Sequence, residues 1–227
     1  MIDRYCISPE ADELALVFGV EVPTNYSPVY NAAPTHSLPI ITFDKQFNMS
    51  CCTWGILSSW SNNKKLGQKF FNVDIADCQA ESNHNEELLS KKCIVPMDGF
   101  FLWKQLSNKK SVPYYFHFQD KRIFACAGIW EATEDGFQAF RLMIKDADSD
   151  LQSIQGKMPL IFSPNTAKEW LKSGNMHDLE EITDDDFRND LEWYSCNPKV
   201  SDPNLNTPDV TLPASLPDQG STYTLFG

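Results

Sequence analysis

The side chains best suited to nucleophilic or metal chemistry are seven cysteines and four histidines, and their spacing suits neither kind of site. Zinc sites need cysteine or histidine at short intervals, but the sequence has no CxxC pair and its histidines are scattered. We therefore predict no metal and no cofactor. The odd number of thiols favours reduced, mostly buried cysteines in a cytoplasmic protein. The residues concerned are Cys6, Cys51, Cys52, Cys78, Cys93, Cys126, Cys196, His36, His84, His117 and His177.

The charge of the chain is strongly negative, with 31 acidic side chains against 19 basic ones and a net charge of −12. Proteins that hold nucleic acid mainly through phosphates usually carry a basic face, so this balance disfavours tight phosphate binding. The acids concentrate in residues 177–192, interpreted either as a solvated helix face or as a surface for a protein partner. No membrane span and no signal peptide are predicted, because no apolar run has the required length or position.

Alternating apolar residues and closely spaced turn signals predict many short strands and a few helices. The predicted strands cover 38–43, 49–57, 93–103, 114–118, 122–130 and 138–145. The predicted helices cover 8–18, 84–91, 147–154, 163–173 and 184–192. The links at 119–121 and 134–136 have the length and composition of hairpin turns.

Two of the predicted helices have clear end signals. Ser163 can cap one helix, Pro164 suits its first position, and Gly174 can end it. Ser8 and Gly19 mark the ends of the other in the same way. These caps predict helices whose bounds depend little on tertiary context.

Hairpin-linked strands with helices between them indicate an α+β fold. We expect a single domain built on a curved, mainly antiparallel β-sheet of barrel or sandwich form, with short peripheral helices. The domain is expected to cover residues 1–212, and an extended or partly disordered tail is expected over residues 213–227.

Six short segments occur together, in order, over most of the chain. They are MIDRY at 1–5, YNAAPTH at 30–36, WGILSSW at 54–60, IVPMDGFFLW at 94–103, FACAGIWE at 124–131 and IQGKMPLI at 154–161. This set resembles the SRAP family, the SOS response-associated peptidases or abasic-site processing proteins. The resemblance extends over about residues 1–212, and it implies an SRAP-like fold and a role in the DNA-damage response.

The resemblance also implies a specific chemistry. In the family, removal of the initiator Met from an MCGRY start exposes a cysteine whose amine attacks the aldehyde of an abasic site in single-stranded DNA. The cysteine thiol then closes a thiazolidine ring. An Asn in an NARAE motif orients that terminus, a Glu in GFYEW and a His in an H-x-RMP motif move protons, and arginines hold phosphates. Such a site needs an amine, a thiol and acid–base groups within hydrogen-bond reach of one another.

Three positions of this chain depart from the family pattern. The cysteine corresponds to Ile2, which has no nucleophile and should also block removal of the initiator Met. The glutamate corresponds to Leu102, and the histidine to Gln155, which can form hydrogen bonds but cannot titrate. We therefore predict a catalytically degenerate homologue. We expect no intact catalytic residue at the family positions, which are Ile2, Asn72, Leu102 and Gln155.

The NARAE segment has two possible alignments. An ungapped alignment places it on residues 72–76, which keeps Asn72 and turns the phosphate-binding arginine into Asp74. A gapped alignment places it on residues 77–81, beginning at Asp77, and loses both the asparagine and the arginine. Either alignment removes the arginine, which predicts weak phosphate contact with little salt dependence.

The remaining candidate DNA-binding residues stand at positions where the chain still resembles the family. Arg4 and Lys157 keep positive charge at family arginine positions, although lysine lacks the bidentate geometry. Trp60 and Trp103 are candidates for base stacking or core packing, and Trp54 and Trp130 for core packing. Asn31 lies in a loop that lines the family pocket and can also fix a turn. The full candidate set is Arg4, Asn31, Trp60, Asp74, Trp103 and Lys157.

Three functions are compatible with the sequence. The favoured one is a degenerate SRAP protein that acts by weak binding of single-stranded or abasic DNA, or of a protein. The second is a residual abasic-site lyase or cross-linking enzyme that uses the α-amine of Met1. The third is an acidic protein-binding module, acting through residues 177–192, with no role on DNA.

Overall fold

The computed structural model describes residues 2–55, 71–80, 91–107, 110–132, 136–173 and 185–214. The strands are β1 Tyr5–Ile7, β2 Val29–Ala32, β3 Ser37–Phe43, β4 Phe47–Trp54, β5 Asn72–Asp74, β6 Lys92–Met97, β7 Gly99–Ser107, β8 Lys110–Phe118, β9 Phe124–Ala132, β10 Gln138–Asp146, β11 Lys157–Pro159, β12 Ile161–Phe162 and β13 Leu191–Ser195. The helices are α1 Ala11–Phe18, α2 Ile75–Ala80, α3 Pro164–Lys172 and α4 Asp185–Arg188, and 3-10 helices cover Pro198–Ser201 and Pro208–Thr211. None of the helices in these ranges is long and apolar enough to cross a membrane.

The strands form two sheets, one of which closes on itself. In the first sheet the order is β13, β8, β7, β1 and β2. In the second sheet β4, β3, β6, β9 and β10 pair in sequence, and β10 pairs with β4 to complete a ring. Strands β5 and β11 add to β10, and β12 adds to β9. The predicted α+β fold with a curved, mainly antiparallel sheet is therefore confirmed.

The centre of the core is organised around Trp54. Its side chain is fully buried, and its indole N–H donates to the carbonyl oxygen of Phe71 at 2.9 Å. Its ring lies edge-on to Tyr5, with centroids 5.0 Å apart, and parallel to Phe140. The predicted core role of Trp54 is confirmed, and the half-buried Trp130 packs against the same core. The N-terminal strand is thereby fixed against the closed ring.

Helix α3 is held to the sheet at both ends. The Ser163 hydroxyl accepts from the backbone N–H of Thr166, as the cap prediction requires. At the other end the buried amine of Lys92 donates to the carbonyl oxygen of Trp170 at 2.7 Å and to that of Ser173. A cation at a helix C-terminus is favourable because the last carbonyls carry partial negative charge.

Replacing Lys92 by Met is expected to destabilise the protein. The variant keeps the aliphatic stem but removes the charged donor to the carbonyl oxygens of Trp170 and Ser173, which costs about 1–3 kcal/mol. The free energy of unfolding in urea measures the effect. Lys168→Met is the matched control, because Lys168 is less buried and its amine donates to the Val17 carbonyl at 3.3 Å. An equal loss in both variants would contradict the anchoring role of Lys92.

Asp98 explains two departures from the sequence-based prediction. It accepts hydrogen bonds from the backbone N–H and the hydroxyl of Ser8, so Ser8 does not cap α1, which begins at Ala11. Gly19 ends α1 as predicted, with φ of 65°. Asp98 also lies between β6 and β7, where a single strand at 93–103 was predicted, and the break lets the two strands enter different sheets.

Other predicted elements differ because the pairing partner lies far away in sequence. Strands β8 and β9 belong to different sheets, so the predicted hairpin at 119–121 is wrong, whereas β9 and β10 do pair directly.

The predicted helix at 184–192 ends at Arg188, because the chain then pairs with β8 as strand β13. The predicted helix at 147–154 is a series of turns. Strand β5 and helix α2 were not predicted, and the predicted helix at 84–91 lies outside the described residues.

Candidate functional site

The N-terminal strand brings Ile2 and Asn72 together. Ile2 is fully buried, and the side-chain amide of Asn72 donates to its carbonyl oxygen at 2.7 Å. Asn72 opens β5, whose parallel pairing with Leu142 of β10 holds it in place. Asp77, the start of the gapped alignment, is exposed on α2. The geometry favours the ungapped alignment, in which Asn72 orients the terminus.

Strand β7, which carries Leu102, pairs with β1. Tyr5 pairs with Phe100, and the backbone N–H of Phe101 donates to the carbonyl oxygen of Arg4 at 3.1 Å. Leu102 is fully buried, so its surroundings are apolar.

Gln155 completes this group of positions. Its Oε1 accepts from the backbone N–H of Trp103, at 3.4 Å, directly after Leu102. Of the four family positions, Asn72 contacts Ile2, and Gln155 contacts the residue after Leu102. Among them no side chain titrates near neutral pH, so this group alone cannot perform acid–base chemistry.

A cleft of about 330 Å³ opens next to this group. Arg4 lies in its wall with a side chain only 12% exposed, because the guanidinium donates to the carbonyl oxygens of Asp3 and Ser201. Burial lowers the pKa of Arg4, although Asp3 and Asp202 oppose this effect. The lining residues are Asp3, Arg4, Ala33, Pro34, Thr35, His36, Phe71, Pro203 and Asn204.

Two titratable side chains in the cleft were not among the predicted site residues. Burial raises the pKa of Asp3 above its ordinary value, and burial with the nearby Arg4 charge lowers the pKa of His36. Nδ1 of His36 accepts from the backbone N–H of Ala33 at 3.3 Å, which fits a neutral ring. Both shifts favour neutral side chains. The sequence signal was an Asp in MIDRY at the Gly position of the family's MCGRY.

The backbone beside His36 is strained. Thr35 has φ of 79°, in the left-handed region that β-branched residues avoid. Its N–H donates to the carbonyl oxygen of Trp54 at 2.8 Å, and Trp54 in turn donates to the carbonyl oxygen of His36. The core residue Trp54 therefore holds this wall of the cleft in place.

The positive charge of Lys157 is shared by two carboxylates. Its amine lies 2.6 Å from Oδ2 of Asp74 and 2.7 Å from Oδ1 of Asp146. Strands β5 and β11 both pair with β10, and this pairing sets Asp74 and Lys157 side by side. The hydrogen bonds that Lys157 donates to Asp146 and Asp74 raise its pKa. The lysine therefore offers little free charge to a phosphate.

The family is decided by a match over most of the chain. The family model "SOS response associated peptidase (SRAP)" matches residues 1–203. The chain belongs to the SRAP family. Because this match covers the N-terminal strand, the closed ring and the cleft together, the SRAP scaffold accounts for the fold as a whole.

Relatives with curated names and solved structures agree with SRAP membership. The chain is 27% identical to the abasic site processing protein YoqW of Bacillus subtilis, over 92% of this chain and 98% of that protein. It is 28% identical to YoaM of the same organism, over 82% and 85%, respectively. A crystal structure of a Bacteroides thetaiotaomicron protein matches with a TM-score of 0.75 and 20% identity, over 93% of this chain and 99% of that one. The last similarity concerns the fold alone.

The other candidate SRAP site residues have different environments. Asn31 is only 1% exposed, and its amide donates to the carbonyl oxygens of Val200, Asp202 and Leu205 at 2.8–3.1 Å. It has no exposed surface for DNA and instead fixes the segment that carries the cleft wall at Asn204. Trp103 is half-buried beside a second apolar cluster. Trp60 lies outside the described residues.

Replacing Asn31 by Ala is expected to release this C-terminal segment. The change removes three hydrogen bonds and leaves buried carbonyls unpaired, which costs about 1–3 kcal/mol. Amide hydrogen exchange of residues 198–205 should accelerate more than that of the closed ring. Asn206→Ala is the matched control, because exposed Asn206 holds the same segment to Tyr30 and Pro28. Unchanged exchange in the Asn31 variant would contradict the anchoring role.

Proposed function

We propose that this SRAP protein binds abasic single-stranded DNA in the cleft without forming a covalent bond to it. The observation that carries the proposal is the hydrogen bond between Asn72 and the Ile2 carbonyl. It holds the carbonyl of Ile2 next to β5, and the side chain at position 2 is a buried isoleucine, which has no nucleophile. We infer that the backbone arrangement of the site is kept although residue 2 provides no nucleophile.

No neighbouring thiol takes over the role of the absent cysteine. Cys6 is 1% exposed, and burial together with the charge of Asp98 raises its pKa well above the ordinary value. A thiol needs its thiolate form to attack, so Cys6 is inert. Because Cys6 lies inside the chain, its nitrogen belongs to a peptide bond and cannot become part of a thiazolidine ring.

Unpaired buried polar atoms around the cleft support a polar ligand. Oδ1 of Asp3, Oδ1 of Asn72 and Nε of Arg4 are buried and have no hydrogen-bond partner within the described residues. Such groups cost free energy unless a ligand or water satisfies them. The two acceptors suit the hydroxyl groups of a sugar, and an abasic nucleotide presents its sugar without a base. This favours recognition through the sugar.

Phosphate contacts contribute little to this proposed binding. Lys157 is neutralised by Asp74 and Asp146, and Arg4 is committed to backbone carbonyls. Few counterions would be released, so the affinity should be modest and should change little with salt concentration. This behaviour distinguishes the proposed mode from binding that depends on a basic groove.

The test uses single-stranded oligonucleotides with and without one abasic site. Fluorescence anisotropy should show preference for the abasic strand, with a shallow salt dependence. A denaturing gel of the same mixtures should show no adduct, with or without borohydride. Equal affinity for both strands would overturn sugar recognition, and an adduct without borohydride would overturn the non-covalent mode.

A residual amine chemistry is the alternative that the cleft itself suggests. Asp3 and His36 are titratable groups near the terminus, with pKa shifts toward the neutral forms. If an α-amine attacks the aldehyde carbon, water leaves and an imine forms, which borohydride reduces to a stable amine. An adduct seen only with borohydride, and lost in Asp3→Asn, would favour this alternative.

A further inference from the structure

A second concave surface shares no lining residue with the cleft. It is a groove of about 1030 Å³ between residues 19–25, which follow α1, and the hairpin of β3 and β4. The exposed end of α3 at Lys172 closes one side. The groove lies beside β4, because β10 pairs only with the C-terminal end of that strand.

One edge of β4 carries unpaired backbone groups along this groove. The backbone N–H of Gly55 donates to the carbonyl oxygen of Phe140, so odd-numbered residues of β4 face β10. Strand β10 pairs with β4 only at Thr53 and Trp54. The odd-numbered residues of β4 before Thr53 therefore direct their N–H and C=O groups to the same side, where β10 does not reach them.

The unpaired residues are Phe47, Met49 and Cys51, and all three line the groove. Within the described part of the chain, their backbone groups form no hydrogen bond outside the β3–β4 pair. Strand edges of this kind bind other strands unless they are blocked, because each free N–H and C=O is a ready donor or acceptor. The groove therefore combines a concave shape with a free strand edge.

The side chains around the edge define a chemistry. Phe43 and Phe47 are half-buried on one face of the hairpin, and the amine of Lys172 lies 5.2 Å from the Phe47 ring centroid. Lys168 lies over the same ring at 5.9 Å, and Lys45 is exposed at the hairpin tip. Glu21 is the acid among the lining residues. On a chain with net charge −12, this end of the groove is locally basic.

We propose that the groove binds an extended peptide segment of a partner protein, which adds as a strand to the Phe47–Cys51 edge of β4. Only a peptide backbone repeats donors and acceptors at the spacing of a strand edge, whereas a nucleic acid does not. Peptide side chains on the Phe47 face should be apolar, and those on the Asn48 face polar. An acidic residue should lie at the lysine end.

The test is an NMR titration of the whole protein with a capped peptide that alternates valine and threonine between two terminal glutamates. The amides of Phe47, Met49 and Cys51 should shift and exchange more slowly with solvent. Methylating every second peptide nitrogen should weaken binding by about tenfold or more, because several hydrogen bonds are lost together. Terminal lysines in place of the glutamates should also weaken it.

Two variants locate the binding at the edge. Met49→Pro removes an outward-facing N–H without breaking a β3 hydrogen bond, so it should abolish binding in a folded protein. Ser37→Ala, which changes an exposed residue of β3 outside the groove lining, should leave binding unchanged. If Met49→Pro does not fold, Lys172→Glu should remove the preference for glutamate over lysine peptides.

Other outcomes would overturn the proposal. They are equal binding of the methylated peptide, shifts confined to the cleft, and no binding of the parent peptide at millimolar concentration. Displacement of the peptide by an oligonucleotide would assign the groove to DNA. A peptide-independent dimer that Met49→Pro disrupts would assign the edge to a second copy of the chain. None of these results depends on whether the cleft binds abasic DNA.

Discussion

A protein carrying Ile2→Cys, Leu102→Glu and Gln155→His together is expected to form a heat-stable adduct with abasic single-stranded DNA without borohydride. The native protein is expected to form none. The reason is that Asn72 already holds the carbonyl of residue 2 and that Gln155 already lies beside β7. A small second residue should also permit removal of Met1, which exposes amine and thiol on one cysteine. Denaturing gels and mass spectrometry measure the adduct and the processed terminus.

The change at Leu102 carries a cost in stability. Leu102 is fully buried, so a glutamate there loses hydration, and its pKa should rise well above the ordinary value. We expect the variant to unfold more easily by about 2–4 kcal/mol, and thermal unfolding must confirm that it remains folded. A raised pKa is also what a general acid needs near neutral pH, so the cost and the gain have one physical origin.

The control for this experiment keeps the acid and base but lacks the nucleophile. Leu102→Glu with Gln155→His, and with Ile2 retained, should form no borohydride-independent adduct. Adding Ile2→Ser should not restore the adduct either, because an alcohol does not close a thiazolidine. If the folded triple variant does not react, the hydrogen bond from Asn72 to residue 2 and the restored side chains are not sufficient for adduct formation.

Replacing Asp74 by Arg is expected to strengthen binding of single-stranded DNA by roughly 100-fold at about 50 mM salt. The change removes the less exposed of the two carboxylates that pair with Lys157 and adds a second cation, so we expect two phosphate contacts to become available. Each contact is worth about tenfold at this salt concentration, since the logarithm of affinity changes by roughly 0.7 per phosphate with the logarithm of salt. The slope should steepen by about 1.4. Anisotropy at several salt concentrations measures both quantities.

Asp146→Arg is the matched control for this charge change. Asp146 is the other partner of Lys157, but its side chain is 85% exposed, whereas that of Asp74 is 19% exposed. Both variants change the net charge equally, so a general electrostatic effect would raise both affinities equally. We expect a clearly larger gain from Asp74→Arg, because its position lies in the segment that Asn72 opens. Equal gains would argue against a phosphate position at residue 74.

The parts of the fold that local chemistry controls were predictable from the sequence. Ser163 caps α3 and Gly19 ends α1 because caps need only neighbouring backbone groups. Ser8 failed as a cap because Asp98, 90 residues away, binds it in the tertiary structure. Residues 191–192, where β13 begins, were predicted as the end of a helix because the acidic run fits an exposed helical face, whereas pairing with β8 decides their conformation.

The candidate site was predictable where motifs persist and unpredictable where new side chains act. The resemblance to the SRAP family pointed to Ile2, Leu102 and Gln155, and the structure places Gln155 beside the residue that follows Leu102. Asp3 and His36 escaped notice because their effect depends on burial in the cleft, which no sequence pattern reports. The pairing of Lys157 with Asp74 was not predicted, because it depends on β5 and β11 both pairing with β10 in the folded structure.

The closing strand β10 also determines when this protein can fold. Cys52 and Gln138 meet across the closure although they are 86 residues apart. At a synthesis rate of about 5–20 residues per second, strands β3 and β4 wait roughly 4–17 s before β10 is made. During that time their apolar faces have no final partner, and non-local closure is slow in general. We therefore expect refolding to be limited by ring closure, and the nascent chain to depend on holdase chaperones until residue 146 has left the ribosome.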